Sequence, residues 1–162
     1  TFLPYLTGER TPHADANARG VFFGMHGGIE RAHMTRAVIE GVSFALRDSL
    51  ELMKELGVDP EEAVAVGGGA GSALWLQVLC DVTDLPLRTV SPSDGAPLGA
   101  AMLAAIGTGR FLSAADAGAA WLTDDKSVSP NHSLRTNYDD AYGRYRQLYP
   151  ALSEVFGANT GA

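Results

Sequence analysis

The sequence contains one cysteine, Cys80, so no disulfide can form within the chain and the fold must rest on packing and hydrogen bonds. Cys80 lies in an apolar helical pattern, which reads as a buried structural thiol rather than a reactive one. No apolar run reaches the roughly 20 residues of a membrane-spanning helix, so no membrane partner is expected. No basic stripe appears either, and a net charge of −7 argues against a dedicated nucleic-acid-binding protein. The residues in hand show no succession of basic start, apolar core and small-residue cleavage site, and the expectation is a cytoplasmic location. The four histidines, His13, His26, His33 and His132, lack metal-ligand spacing, and no Ser-His-Asp or Cys-His set stands out. No metal ligand and no catalytic residue is therefore assigned. The sequon Asn131-His132-Ser133 reads as chance.

What is present describes a folded chain. Hydrophobic residues make up 46% and charged residues 19%, which excludes a disordered polymer. A length of 162 residues suits one domain or a large part of one. The opening Thr1-Phe2-Leu3-Pro4-Tyr5 is apolar where free termini are usually polar, so a piece of a longer polypeptide is expected.

The most informative stretch is 63–83, AVAVGGGAGSALWLQVLCDVT. Ala63 to Val66 reads as a short buried parallel strand. Gly67, Gly68 and Gly69 end it, Ser72 sits where a helix N-cap belongs, and Leu74, Val78 and Val82 repeat every four residues. A strand, a glycine turn and a helix leave backbone N–H groups exposed at the positive end of a helix. The turn lacks the Lys-Ser or Lys-Thr of a Walker A loop, and Ser72 stands where the dinucleotide fingerprint needs its third glycine. Nucleotide contact and a tight packing turn both remain open on these residues alone.

Elsewhere, residues 1–19 read as an ordered irregular segment broken by Pro4, Gly8 and Pro12. Residues 20–26 read as a short strand. A long helix is predicted over 30–56, with Met34, Val38, Val42, Ala45, Ser49, Leu52 and Leu56 as its core stripe and Arg47 and Asp48 on other faces. Gly41 in mid-helix costs about 1 kcal/mol relative to Ala, which a close approach by another element would explain. Gly57 supplies the stop. Leu87–Val90 reads as a second strand, 91–95 as a loop, and Pro97 as the first turn of a helix of small residues suited to tight packing. Asp94 reads first as its cap or dipole partner, with a catalytic carboxylate as the alternative. A short helix is predicted at 113–122, a polar connector at 123–134, a final helix at 135–155 with a Tyr-rich stripe, and a frayed tail at 157–162. Alternating strands and helices around 64–106 predict a parallel α/β sheet.

Three segments together resemble a known family. FLPYLTGERTPH at 2–13 comes first. Gly20, Phe22, Gly24 and Met25, followed by His33-Met34 and Ala37-Val38-Ile39-Glu40, are similar to the second signature of the FGGY carbohydrate kinases. VGGGAGSALWLQVLCDVT at 66–83, with DGAPLGAAMLAA at 94–105, is the third. The Gly8-to-His13 run points toward the xylulose kinases. The resemblance covers about 1–150. It implies an α/β, actin-like ATPase (ribonuclease H-like) fold, of which 1–156 would be the C-terminal nucleotide-binding domain, an incomplete sheet with several packed helices.

The resemblance also implies ATP or ADP bound at Gly68, Gly69 and Ala70, with Ser72 nearby. A contact that an Asn makes in glycerol kinases would be missing at Ala73. It implies phosphoryl transfer from Mg²⁺-bound ATP to the 5-hydroxyl of D-xylulose. The general-base Asp, the sugar contacts, the phosphate loop and most of the Mg²⁺ site would lie ahead of Thr1. The chain alone is thus expected to be inactive and to meet its small-molecule sugar only as part of the longer enzyme. Another sugar or polyol (ribulose, gluconate, glycerol), a non-catalytic interaction module, and self-association into a homodimer stay open.

Overall fold

The computed structural model describes residues 1–158. The chain divides into two compact units. The first comprises Thr1–Asp59, Asp81–Asp84 and the described residues from Asn131 to Ala158; the second comprises Pro60–Cys80 and Leu85–Pro130.

In the first unit, β1 (Phe2–Leu3) pairs antiparallel with β2 (Val21–Phe22), and the Phe2 and Phe22 rings meet at 4.5 Å. The irregular opening segment thus contains a strand that residue types did not reveal, because two residues are too few for a period. Both are buried, and full burial of a side chain such as Leu3 contributes roughly 1.5–3 kcal/mol. β1 packs on α1 (Arg31–Glu55), and the two meet at Gly41. A Cβ placed on Gly41 would overlap the Phe2 carbonyl oxygen, which is the close approach that the mid-helix glycine predicts. At the end of α1, Gly57 takes φ +83°. The Gly57 and Val58 N–H groups donate to the Lys54 and Met53 carbonyls at 2.9 Å each, closing a Schellman motif.

The buried face of α1 differs from the apolar stripe. Gly41, Ser43, Phe44, Arg47 and Asp48 are buried, whereas Val38 is partly exposed and Leu56 is 84% exposed. The reason lies on α5 (Arg135–Ala158), whose Tyr138, Tyr142, Tyr145, Leu148 and Phe156 are buried. Arg47 donates to Asp139 Oδ1 at 2.7 Å and to the Val82 carbonyl at 3.1 Å, and its guanidinium lies 4.2 Å from the centre of the Tyr142 ring. Burial alone would raise the Asp139 pKa, but hydrogen bonds from Arg135 and Arg47 outweigh it and the net shift is downward. Polar residues go inside here because partners distant in sequence pair with them, Asp139 and Val82 with Arg47 and Tyr142 with Asp48, although among the described residues Arg47 Nε stays buried without a hydrogen bond. α5 runs through Gly157 and Ala158, and the rest of the segment expected to fray lies outside the described residues.

In the second unit, β3 (Ala63–Ala65) pairs in parallel with β4 (Leu87–Ser91), with α2 (Ala73–Thr83) between them in sequence. β5 (Thr123–Val128) adds antiparallel to the other side of β4, giving the order β3-β4-β5. This strand replaces the polar connector expected at 123–134. Thr123 to Ser127 are exposed, so no apolar alternation marks it. Leu76, Cys80 and Leu87 form the core, against which Ala63, Ala65, Ala70, Leu79 and Val128 pack. Cys80 is fully buried, with its Sγ 3.2 Å from the Leu85 carbonyl and 3.3 Å from that of Val128.

α3 (Ala96–Gly107) and α4 (Ala114–Trp121) pack on each other. Ser113 caps α4, its hydroxyl accepting from the Asp116 N–H at 3.1 Å. Of the small residues of α3 expected to pack tightly, Ala105 is buried, while the space around Gly99 is open.

Candidate functional site

The sequence builds the site where two parallel strands end. β3 runs out at Ala65, and Gly67, at φ +84°, turns the chain into a single 3₁₀ turn over Gly68–Gly71. A left-handed residue is needed there, and glycine adopts that conformation without the steric cost of a Cβ. Ser72 follows in an extended conformation, and its Oγ accepts from the Trp75 N–H at 3.3 Å. It is the N-cap of α2, as its position in sequence predicts.

β4 ends at Ser91 and leads through Pro92, Ser93 and Asp94 to Gly95, at φ +52°, the N-cap of α3. Pro97 stands in the first turn, where its missing N–H is no loss. The two turns are joined by a hydrogen bond from the Gly67 N–H to the Ser93 carbonyl at 3.4 Å.

Between them lies an open cleft of about 600 Å³, lined by Val66, Gly67, Gly68, Gly71, Ser93, Asp94, Gly95 and Ala96. No protein atom comes within 4 Å of a Cβ placed on Gly67, Gly68 or Gly71. The backbone is therefore bare toward the cleft, and a flat ring can lie against it. The carboxyl ends of parallel strands are where open α/β sheets bind ligands. The N-terminus of α3 opens onto the same space, and its macrodipole favours negative charge.

The predicted site residues separate in this geometry. Gly68 lines the cleft. Gly69 does not: a Cβ there would lie 3.5 Å from Trp75. Ala70 packs on the core beneath the turn, and Ser72 caps α2. Asp94, expected as the cap of α3, is displaced from that role by Gly95, where no side chain caps the helix. Its exposed carboxylate sits on the cleft wall instead. Of the second wall, Ser93–Ala96, residue types single out only Asp94; the Asp94-Gly95-Ala96-Pro97 run marks a turn entering a helix, and only the fold brings it beside Gly67.

No helix among the described residues is long and apolar enough to cross a membrane, and no group of three His, Cys, Asp or Glu side chains among them is placed to hold a metal.

Comparison with known proteins gives a consistent result. Residues 1–108 match the C-terminal domain of the FGGY family of carbohydrate kinases. The chain is 38% identical over 154 residues to the xylulose kinase of Staphylococcus epidermidis and 39% identical over 155 residues to that of Escherichia coli. These alignments cover 95% and 93% of this chain but 31% of each relative, so the chain spans about a third of the curated relatives it matches. Among solved structures, a ligand-bound xylulose kinase from Lactobacillus acidophilus superposes with a TM-score of 0.85 at 33% identity, covering 97% of this chain and 32% of that one. A gluconate kinase from the same organism gives 0.83 at 33% identity, with the same coverage. The chain belongs to the FGGY family of carbohydrate kinases, with the actin-like ATPase fold of their C-terminal domain.

Proposed function

We propose that this chain supplies the adenine-nucleotide wall of a xylulose kinase. The observation that carries the reading is the open cleft at the ends of β3 and β4, walled by glycine backbone. The fit is steric first, since Gly67, Gly68 and Gly71 leave room where any Cβ would intrude. Gly68 and its neighbours Gly67, Gly71, Gly95 and Ala96 would hold ATP or ADP, while Gly69, Ala70 and Ser72 shape the turn from behind. Residues 1–156 would act as one nucleotide-binding domain of a longer cytoplasmic enzyme. That enzyme would transfer the ATP γ-phosphate to D-xylulose, giving D-xylulose 5-phosphate and ADP. Its general base, its sugar contacts and most of its Mg²⁺ ligands would lie outside this chain, leaving the chain by itself inactive.

The experiment is a calorimetric titration of ADP into the chain, paired with a sugar panel on a longer protein that carries it. Saturable ADP binding and a preference for xylulose support the proposal. Absence of ADP binding by folded protein refutes the nucleotide reading. A second reading, a kinase for gluconate, is favoured by the equal coverage of the gluconate kinase structure, and the same panel decides it.

A further inference from the structure

The two walls of the cleft differ in kind. On the first, Val66 is apolar, and Gly67, Gly68 and Gly71 carry no side chain at all. On the second, Ser93 and Asp94 are consecutive, exposed and polar. A ligand that fits both walls has a flat face on one side and adjacent hydrogen-bond donors on the other.

The fold makes no use of either polar side chain. Gly95, not Asp94, is the N-cap of α3, and no side chain bonds to that cap. Ser93 accepts from the Gly67 N–H through its carbonyl, which leaves its hydroxyl unused. Among the described residues the Asp94 carboxylate has no hydrogen bond and no ion pair, and the Ser93 hydroxyl has no hydrogen bond.

A carboxylate accepts hydrogen bonds and donates none. Asp94 also places a full negative charge beside the α3 N-terminus, so a second one from a phosphate is disfavoured there. The part of a nucleotide that suits this wall is therefore neutral and rich in donors. Ribose is that part, with two neighbouring hydroxyls that match the two oxygens of a carboxylate. Acidic side chains hold ribose hydroxyls in dinucleotide-binding folds for the same reason.

We propose, resting on the nucleotide reading above, that Asp94 accepts hydrogen bonds from the ribose hydroxyls of ATP or ADP, with the Ser93 hydroxyl beside it. Asp94 thereby selects ribonucleotides over nucleotides that lack those hydroxyls. It holds the sugar of the nucleotide and takes no part in phosphoryl transfer.

The test is a calorimetric cycle: the chain and its Asp94→Ala variant, each titrated with ADP and with 2′,3′-dideoxy-ADP. The unaltered chain should bind ADP about threefold to tenfold more tightly than the dideoxy compound. Asp94→Ala should bring that ratio below about twofold at an unchanged melting temperature, since the side chain bonds to nothing in the fold. The ratio cancels the effect of the lost charge on the diphosphate, which both ligands share. Should Asp94→Ala not fold, Asp94→Asn keeps one acceptor oxygen and should lower the ratio in part. Inosine diphosphate keeps the ribose but lacks the amino group of adenine, and Asp94→Ala should weaken it as much as ADP. A ratio near one in the unaltered chain, a ratio that survives in the variants, or a loss seen with ADP and not with inosine diphosphate overturns the assignment and leaves the nucleotide reading standing. No ADP binding by the folded, unaltered chain overturns both.

Discussion

Replacing Gly68 with valine separates binding from folding. Gly68 lies in the 3₁₀ turn with φ outside the left-handed region, and no protein atom lies within 4 Å of its added Cβ. In a helical turn the exchange of Gly for Val is close to neutral, so stability should move by no more than about 0.5 kcal/mol. The isopropyl group, however, projects into the space against which the base is proposed to lie. Covering roughly 70 Å² of base face at about 25 cal/mol per Å² contributes about 2 kcal/mol, so its loss weakens binding more than tenfold. Calorimetric titration with ADP reads this directly, and in a longer kinase carrying the chain the effect should fall on KM for ATP. Gly69→Val is the internal control: its side chain is directed at Trp75, with first contact at an ordinary 3.5 Å, so ADP affinity should change less. A Gly68→Val protein that keeps both its melting temperature and its ADP affinity would refute the placement of the base.

Other outcomes follow from the packing. Gly41→Ala forces an overlap with the Phe2 carbonyl and should destabilise the first unit by about 1–3 kcal/mol, measured by thermal unfolding, despite the better helix propensity of Ala. The Cys80 thiol, fully buried, should stay unreactive toward a chromogenic disulfide reagent in native protein and react fully in denaturant. Asp48 should give a pH signature. Because its folded pKa is raised, the native state holds a proton that the unfolded state releases, so its contribution to stability falls as pH climbs from 3.8 through the raised value and then levels. The difference between wild-type and Asp48→Asn melting temperatures across that window isolates this slope from Glu9, His13 and Arg146, which share its surroundings, and a flat difference would contradict it.

What could be read in the sequence follows the range of the interaction. The order strand, glycine turn and helix over 63–83 is legible because each signal is local, a small apolar run, a left-handed Gly67 and a Ser72 cap, but the burial expected of the strand is not met: Val64 on this outer strand, Val66 just after it and Leu74 on the helix are exposed. Gly41 was legible as a cost awaiting an explanation, though Phe2 could not be named as its cause. The buried face of α1 was misread because Arg47 and Asp48 look like surface residues until Asp139 and Tyr142 arrive from α5. β5 was invisible for the opposite reason, having almost no buried side chain to betray a period. In the site, the first wall was visible as a run of glycines. The second wall, Ser93–Ala96, depends on a parallel pairing that joins residues 24 positions apart.

The charges on β5 bear on how this sheet behaves in company. Asp124, Asp125 and Lys126 stand exposed along one outer strand, and a foreign segment seeking to extend the ladder there would have to strip water from them. The opposite margin, β3, carries no such guard: Val64 is 42% exposed and Val66 beside it 50%. Growth of the ladder is thereby biased to one direction, and a lysine at position 64 should suppress aggregation where the same residue at Ser127 would change little.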